Sequence, residues 1–512
     1  MKDSLFQSWV SERFRFPILL LVAITLSCNS GIPNTIYSFV IGDLSANSPD
    51  LAMAMYAYCA GMVCSIPLIF RLSGVIPKKT LIIVSILILM GINYALSLSD
   101  RPLVNVMLMF VFGCVKIIVT MALITELMPY LMPRGERYQM YAIYYPMNLV
   151  FPVIGGLIAV LLANHYYWEL GFHFQNLMLF ICLLFVLISF KTQSIKKIPL
   201  FQYDWLGTIL LAASLLCFSF VCSYGVQNNW FYSESIIRAT VLFIILFTFF
   251  VNRNFKKKRK VISFSALTDK GTFLTLLTVF ILGMFYANST LLNYLLNILA
   301  PNNPEKVAEI NAYIIIGYLL GSLIVWLYFK QTKKCKAIFL FATACYLISN
   351  ILLLGYINPT SNVELLILPV ILRGIAVMVS FIATAVYLAA NVSPKQFLHS
   401  IVLFLLVRTF LVTTFWSTFI GYVYNHQVIV HQTRLSEITE TNIALTRSSL
   451  ASFQTQTSLL ALQDVYSYLV YANIAVLLII VLLPYHSSTI RHIYNWGTKK
   501  NAKEIIQASP MS

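Results

Sequence analysis

Acidic residues are scarce in this sequence: 18 Asp and Glu in 512 residues, against 35 Lys and Arg. Charged residues of both signs make up only 10% of the chain. A soluble domain carries about 25%, so that class is excluded. The nine cysteines, among them Cys28, Cys59, Cys114 and Cys217, lie within or beside apolar runs and form no CxxC, so they read as small packing residues rather than metal or dithiol sites. There is no Walker loop, no nucleophile triad and no pair of His or Asp inside an apolar run, which leaves no residues for phosphate cradling or hydrolysis. What the chain has in excess is apolar surface: 59% hydrophobic residues and a mean hydropathy of +0.81. That describes a polytopic membrane protein. Its apolar runs exceed the roughly 9–11 residues of a barrel strand and lack period-two alternation, so the fold class is all-α.

Fourteen spans can be placed, at 16–41, 51–70, 80–98, 104–128, 139–162, 175–190, 205–225, 235–252, 271–299, 308–329, 337–357, 363–390, 398–424 and 467–484. The first apolar stretch carries Ser27, Cys28, Asn29 and Ser30 in its middle and has no clear small-x-small exit, so it reads as a retained span rather than a cleaved signal. With the amino terminus cytoplasmic, 27 of the 35 basic residues fall on the cytoplasmic side. This bias fits an even number of spans and explains the net charge of +17 by orientation in a bilayer, not by nucleic-acid binding. The run Arg253–Lys260 reads as a linker against anionic headgroups. Residues 425–466, rich in Ser, Thr and Gln, read as an outer loop with one or two short helices.

The stretch 132–156, MPRGERYQMYAIYYPMNLVFPVIGG, joins a charged threshold to an apolar run with Pro152, Gly155 and Gly156. It reads as a membrane helix with a small-residue contact face. The motifs PRGERYQMYAIY (133–144), FPVIGG (151–156), WELGFHFQN (168–176) and FQYDWLGTILLAASLL (201–216), in this order across fourteen spans, resemble the major facilitator superfamily and, within it, the fourteen-helix drug:proton antiporters. The resemblance implies two six-helix bundles in 1–190 and 261–484, with spans seven and eight as an extra pair in 191–260. It also implies a cytoplasmic basic tail at 485–512. It implies export of hydrophobic or amphiphilic compounds across the inner membrane by alternating access, in exchange for protons and without a cofactor. A periplasmic adaptor touching 425–466 is the partner it implies. Arg71, Lys78, Lys79, Arg134, Arg137, Phe151, Pro152, Gly155, Gly156 and Asp204 are the residues that match or abut its conformational motifs.

The departures from that pattern concern coupling. Ser73 stands where the loop between spans two and three has an acid, Cys28 or Asn29 where span one has a membrane aspartate, and Phe151 where the helix-five pattern has its first glycine. Glu126 is the remaining candidate for a proton-carrying carboxylate, or else a partner of Arg134 or Arg137. Lys116, Arg373 and Arg408 lie inside spans, where a basic group costs roughly 2.5–3.5 kcal/mol. Lys116 and Arg408 either meet an anionic substrate or bond across helices; Arg373 is shallower. Asn29, Asn34, Asn148 and Tyr145 are further candidates for a central cavity. The eroded motifs leave a second reading open, a dedicated transporter of one endogenous metabolite or lipid with weak or absent proton coupling.

Overall fold

The structure, a computed structural model, describes residues 5–33, 35–36, 47–72, 74–132, 135–192, 203–257, 260–301, 303–332, 334–392, 396–438, 447–483 and 485. Asn34 and Arg134 lie outside the described residues, as does the tail from 486. Helices account for nearly all the described chain because lipid offers the backbone no hydrogen-bond partner.

The first six long helices are α1 (Glu12–Asn29), α2 (Ser48–Leu72), α3 (Lys78–Ser97), α4 (Pro102–Leu131), α5 (Arg137–His165) and α6 (Glu169–Ser189). The next two are α7 (Trp205–Tyr224) and α8 (Glu234–Lys256). There follow α9 (Lys270–Ala287), α10 (Ser289–Leu299), α11 (Pro304–Ala312), α12 (Ile314–Gln331), α13 (Cys335–Tyr356) and α14 (Ile367–Asn391). The last span but one starts as α15 (Phe397–Leu405), passes through a π-helical segment (Leu406–Trp416) and continues as α16 (Ser417–Ile438); α17 is Arg447–Leu482. Thirteen spans long and apolar enough to cross a bilayer occur among the described residues, α9 with α10 and α11 with α12 each forming one. With α1, whose first turn holds Glu12, Arg13 and Arg15, the total reaches the fourteen expected.

Helices α1–α6 pack mainly on one another, α2 on α4 most extensively, and the spans from α9 to α17 do the same, with α12 on α14. Small residues make both of these contacts. A Cβ on Gly61 would sit 2.1 Å from the Phe110 carbonyl oxygen, and one on Gly317 would sit 2.2 Å from that of Ile371. Backbone approach of this kind replaces the hydrophobic drive that helices lack in lipid. The two sets meet where α5 crosses α12 and α14 and where α2 crosses the π segment. On one rim, Asn164 and His165 at the end of α5 both reach Glu305 of α11, each at 2.9 Å. The amino-terminal segment returns to the end of α6, with Gln7 N to Ser189 O at 2.9 Å and Lys191 N to Leu5 O at 2.7 Å. The start of the chain and the end of the sixth span therefore share a face, which an even number of crossings requires.

The stretch 201–216 owes its Asp-Trp-x-Gly to local structure. Asp204 caps α7 by accepting from Gly207 N at 3.2 Å, and Arg253 at the end of α8 grips the same carboxylate at 2.7 and 2.9 Å. Gly207 is required because a Cβ there would lie 2.5 Å from Asp204 Oδ2. The α7–α8 pair is thus clamped at one end and lies against α2. An Asp204→Asn variant, keeping the cap but losing the charge under Arg253, is expected to cost about 2 kcal/mol. A melting curve of the purified protein in detergent measures this, and charge-reversed Asp204→Arg/Arg253→Asp should recover part of it.

The outer loop expected at 425–466 is helical over most of its length. α16 continues to Ile438 and α17 begins at Arg447, so the spans placed at 398–424 and 467–484 run on as an antiparallel helix pair, with Thr457–Tyr466 of α17 still packed into the bundle. The polar sequence hid this because Ser, Thr and Gln lower hydropathy without breaking a helix, and no Pro or Gly interrupts it. His431 Nε2 lies 2.8 Å from Asp464 Oδ2 and Gln427 bonds Tyr468 at 3.3 Å, tying the two helices together.

Candidate functional site

Among the described residues, Lys116, Arg373 and Arg408 within the spans have no carboxylate partner. Arg408 stands in the π-helical segment, whose wider turns are frequent at functional sites. Its guanidinium carbon lies 4.4 Å from the centre of the Phe381 ring, 4.6 Å from that of Tyr145 and 5.1 Å from that of Phe404. Such contacts stabilise a cation through the ring quadrupole without consuming its N–H donors. The buried nitrogen Nη1 has no partner among the described residues. Arg408 borders a narrow, open cleft, otherwise lined by apolar residues such as Leu282, Phe381 and Val412, with Tyr286, Ser380 and Thr384. The cleft exists where α9 and the π segment press together: a Cβ on Gly283 would be 2.4 Å from a Val412 methyl.

Lys116, on α4, is 9% exposed and makes no hydrogen bond or ion pair with a described residue; Cys28 on α1 is the titratable group it interacts with. Arg373, 4% exposed, donates from Nη2 to the Tyr286 carbonyl at 2.9 Å, just ahead of the break between α9 and α10. It therefore satisfies a carbonyl that the interrupted helix leaves open. Lys116 has no such backbone bond.

Among the described residues Glu126 meets neither Arg137 nor another arginine but a lysine. Its carboxylate is bonded to Lys78 at the start of α3, which also reaches Thr125 Oγ1 at 3.2 Å. Arg137 instead lies over the Phe397 ring at 4.3 Å. The partner of Glu126 is thus a lysine that in sequence belongs to a loop motif, because hydropathy cannot say which helix ends are neighbours. Lys79 likewise caps the end of α6, donating to the carbonyls of Leu187 and Phe190 at 2.8 and 2.6 Å. Arg71 closes α2.

Of the described candidate cavity groups, Tyr145 alone joins Arg408. Asn148 donates to its own helix at Tyr144 O, 3.0 Å away. Asn29 accepts from Asn93 on α3 at 2.9 Å, and Asn93 also bonds Asn176 on α6 at 3.1 Å. A parallel arrangement occurs in the second set, where Asn288, at the end of α9, donates to Asn350 on α13 at 3.2 Å. In each set, then, the first helix ends at an asparagine that is held by an asparagine of the third span. Lone Asn residues 64 and 62 positions apart carry no periodic signal, so sequence reasoning missed both partners. It also missed Phe381 and Phe404, which are indistinguishable from lipid-facing aromatics until the fold places them.

FPVIGG is a contact face between α5 and the first span. A Cβ on Gly155 would lie 2.4 Å from the Cys28 carbonyl oxygen, and one on Gly31 1.8 Å from that of Pro152. Gly156 faces Thr35. Phe151, in place of a glycine, is half-buried.

The sequence profile described as Major Facilitator Superfamily matches residues 19–410, most of the chain. The chain belongs to the Major Facilitator Superfamily. As a member, it is a multi-pass membrane transporter and not an enzyme, and no cluster of three His, Cys, Asp or Glu suited to a metal occurs among the described residues. No curated protein matches it in sequence. Among solved structures, one from work on substrate recognition in proton dependent oligopeptide transporters is similar at a TM-score of 0.62 and 12% identity, covering 92% of this chain and 98% of that one. A POT family transporter in complex with 5-aminolevulinic acid is similar at 0.58 and 13%, covering 90% and 95%. The nucleoside transporter NupG is similar at 0.54 and 14%, covering 90% and 98%. These likenesses are of fold. The superfamily fold carries solutes by secondary active transport, through alternating access to a central site.

Proposed function

We propose that this superfamily member is a dedicated inner-membrane transporter of a small organic anion and does not use a membrane-embedded carboxylate to carry protons. The observation that carries the reading is the interior charge inventory. Lys116, Arg373 and Arg408 lie within spans, whereas Glu126, the carboxylate near the end of the fourth span, is bonded to Lys78. A substrate bearing negative charge would supply what the protein omits, and its departure would leave the site ready for the next anion. The similar solved structures, which include nucleoside and peptide transporters, favour a dedicated solute over broad drug export. In this reading the two six-helix sets are the rocking bundles and α7 with α8 the extra pair.

Export of amphiphilic drugs against protons remains the second reading, favoured by the fourteen-span count shared with the drug:proton antiporters, and with it a periplasmic adaptor on the α16–α17 hairpin. Proteoliposomes separate the two. Uptake of labelled organic acids is expected to follow an imposed potential and to persist after the pH gradient is collapsed with an ionophore. Transport restricted to cationic or neutral dyes, and abolished by that collapse, would establish the antiporter instead. Co-purification of an adaptor with the intact hairpin would support the second reading further.

A further inference from the structure

We infer that Arg408 is the anchor for the substrate's acidic group, and that the substrate is a monocarboxylate with an apolar body. The inference rests on the organic-anion reading above and names the chemistry of its site.

Two rings lie within 4.6 Å of the guanidinium carbon, Phe381 from α14 and Tyr145 from α5, with Phe404 beyond. Ring contacts occupy the faces of a guanidinium and leave its in-plane N–H groups as the directions of approach. One of those nitrogens, Nη1, is already buried and unpaired among the described residues. An unmet charged donor of this kind is costly unless a ligand meets it. The matching group is planar, accepts two parallel hydrogen bonds and bears one negative charge, which describes a carboxylate. A phosphate or sulfonate would carry oxygens out of the plane, toward the rings.

The rest of the cleft sets the body. Ser380 and Thr384 donate their hydroxyl protons to their own helix, at Val377 O and Ser380 O, 2.8 and 2.7 Å away. The lining therefore offers Arg408 and the Tyr286 hydroxyl as donors against walls of Val279, Leu282 and Val412. The cage also spans both helix sets, since Tyr145 comes from the amino-terminal set while Arg408, Phe381 and Phe404 come from the other. A bound carboxylate thus sits where the two sets part during transport, and Tyr145 is the jaw that leaves.

The test uses the purified full chain in nanodiscs, with isothermal titration of 3-phenylpropionate, its primary amide, the corresponding phosphonate and phenethylammonium. The carboxylate is expected to bind, the phosphonate at least 10-fold more weakly, and the amide and the cation not measurably. Arg408→Lys, which keeps the charge but loses the fork, should weaken carboxylate binding at least 10-fold, and Arg408→Gln at least 100-fold. Arg238→Gln, on the exposed face of α8, should bind as wild type. If Arg408→Gln does not fold, Arg408→Lys and Phe381→Leu decide the question by the same titration. Carboxylate binding within twofold of wild type in the Arg408 variants, with loss in Lys116→Met, would overturn the Arg408 site and leave the organic-anion reading standing. Binding of phenethylammonium and of none of the anions would overturn both.

Discussion

A Gly31→Ala protein is expected to lose about 3 kcal/mol of stability and to melt roughly 3 °C lower in detergent. The added methyl would stand 1.8 Å from the Pro152 carbonyl oxygen, a backbone atom at the centre of a membrane helix that no rotamer change can move aside. Gly155 makes the reciprocal contact, 2.4 Å from the Cys28 carbonyl oxygen, so the first span and α5 touch through backbone on both sides. The two helices would have to separate by more than an ångström to admit the methyl, and packed cores resist such shifts. Gly91→Ala is the matched control. It too lies in a membrane helix, but nothing comes within 4 Å of the place a Cβ would take, and it should melt with wild type. A scan by fluorescence-detected size exclusion after heating reads both variants. Equal melting of the two would show that the α1–α5 contact does not hold the amino-terminal set together.

Breaking the Lys78–Glu126 pair is the second large effect. Glu126→Gln leaves Lys78 with a neutral partner in a site where both side chains are largely covered, Lys78 being 25% and Glu126 21% exposed. Removing one member of a fully buried pair costs about 3–5 kcal/mol, and partial solvation here reduces that to about 2 kcal/mol. The double variant Lys78→Met/Glu126→Gln should recover most of the loss, because neither charge is then left behind. Transport measured across pH adds a readout that stability does not give. If Glu126 is an ion-pair partner, the double variant keeps the wild-type pH profile; a proton carrier would flatten it. A flattened profile in a stable double variant would return Glu126 to the role of coupling carboxylate.

These two cases show what could be read from the chain and what could not. Span number and the small-residue face in FPVIGG follow from composition and local sequence, because lipid imposes helices and close helix contacts select glycine. The intramembrane bases were equally visible, since any Lys or Arg in an apolar run stands out. Their partners were not. Glu126 lies 48 residues from Lys78, and Arg408 is far in sequence from Tyr145, so only the packing of spans decides which cation is paired and which is free. The π-helical segment was also hidden, as LVRTFLVTTFW contains no breaker residue and reads as an ordinary membrane helix, while in the fold it packs against α9. The extension of α16 and α17 was lost for the opposite reason, because a search for apolar spans stops where helices leave the lipid.

That hairpin gives the carboxy-terminal set a rigid lever. From the expected membrane boundary near residue 424 to Ile438, α16 extends about 20 Å, and the His431–Asp464 and Gln427–Tyr468 bonds keep α17 beside it. From Thr457 on, α17 is packed into the bundle, so only the end of the hairpin is free, and a tip fixed to one set of helices moves by more than the helices move at the cleft. Probes attached along it would therefore report the transport cycle, as a pointer magnifies the turn of its axle, while the cleft around Arg408 remains undisturbed.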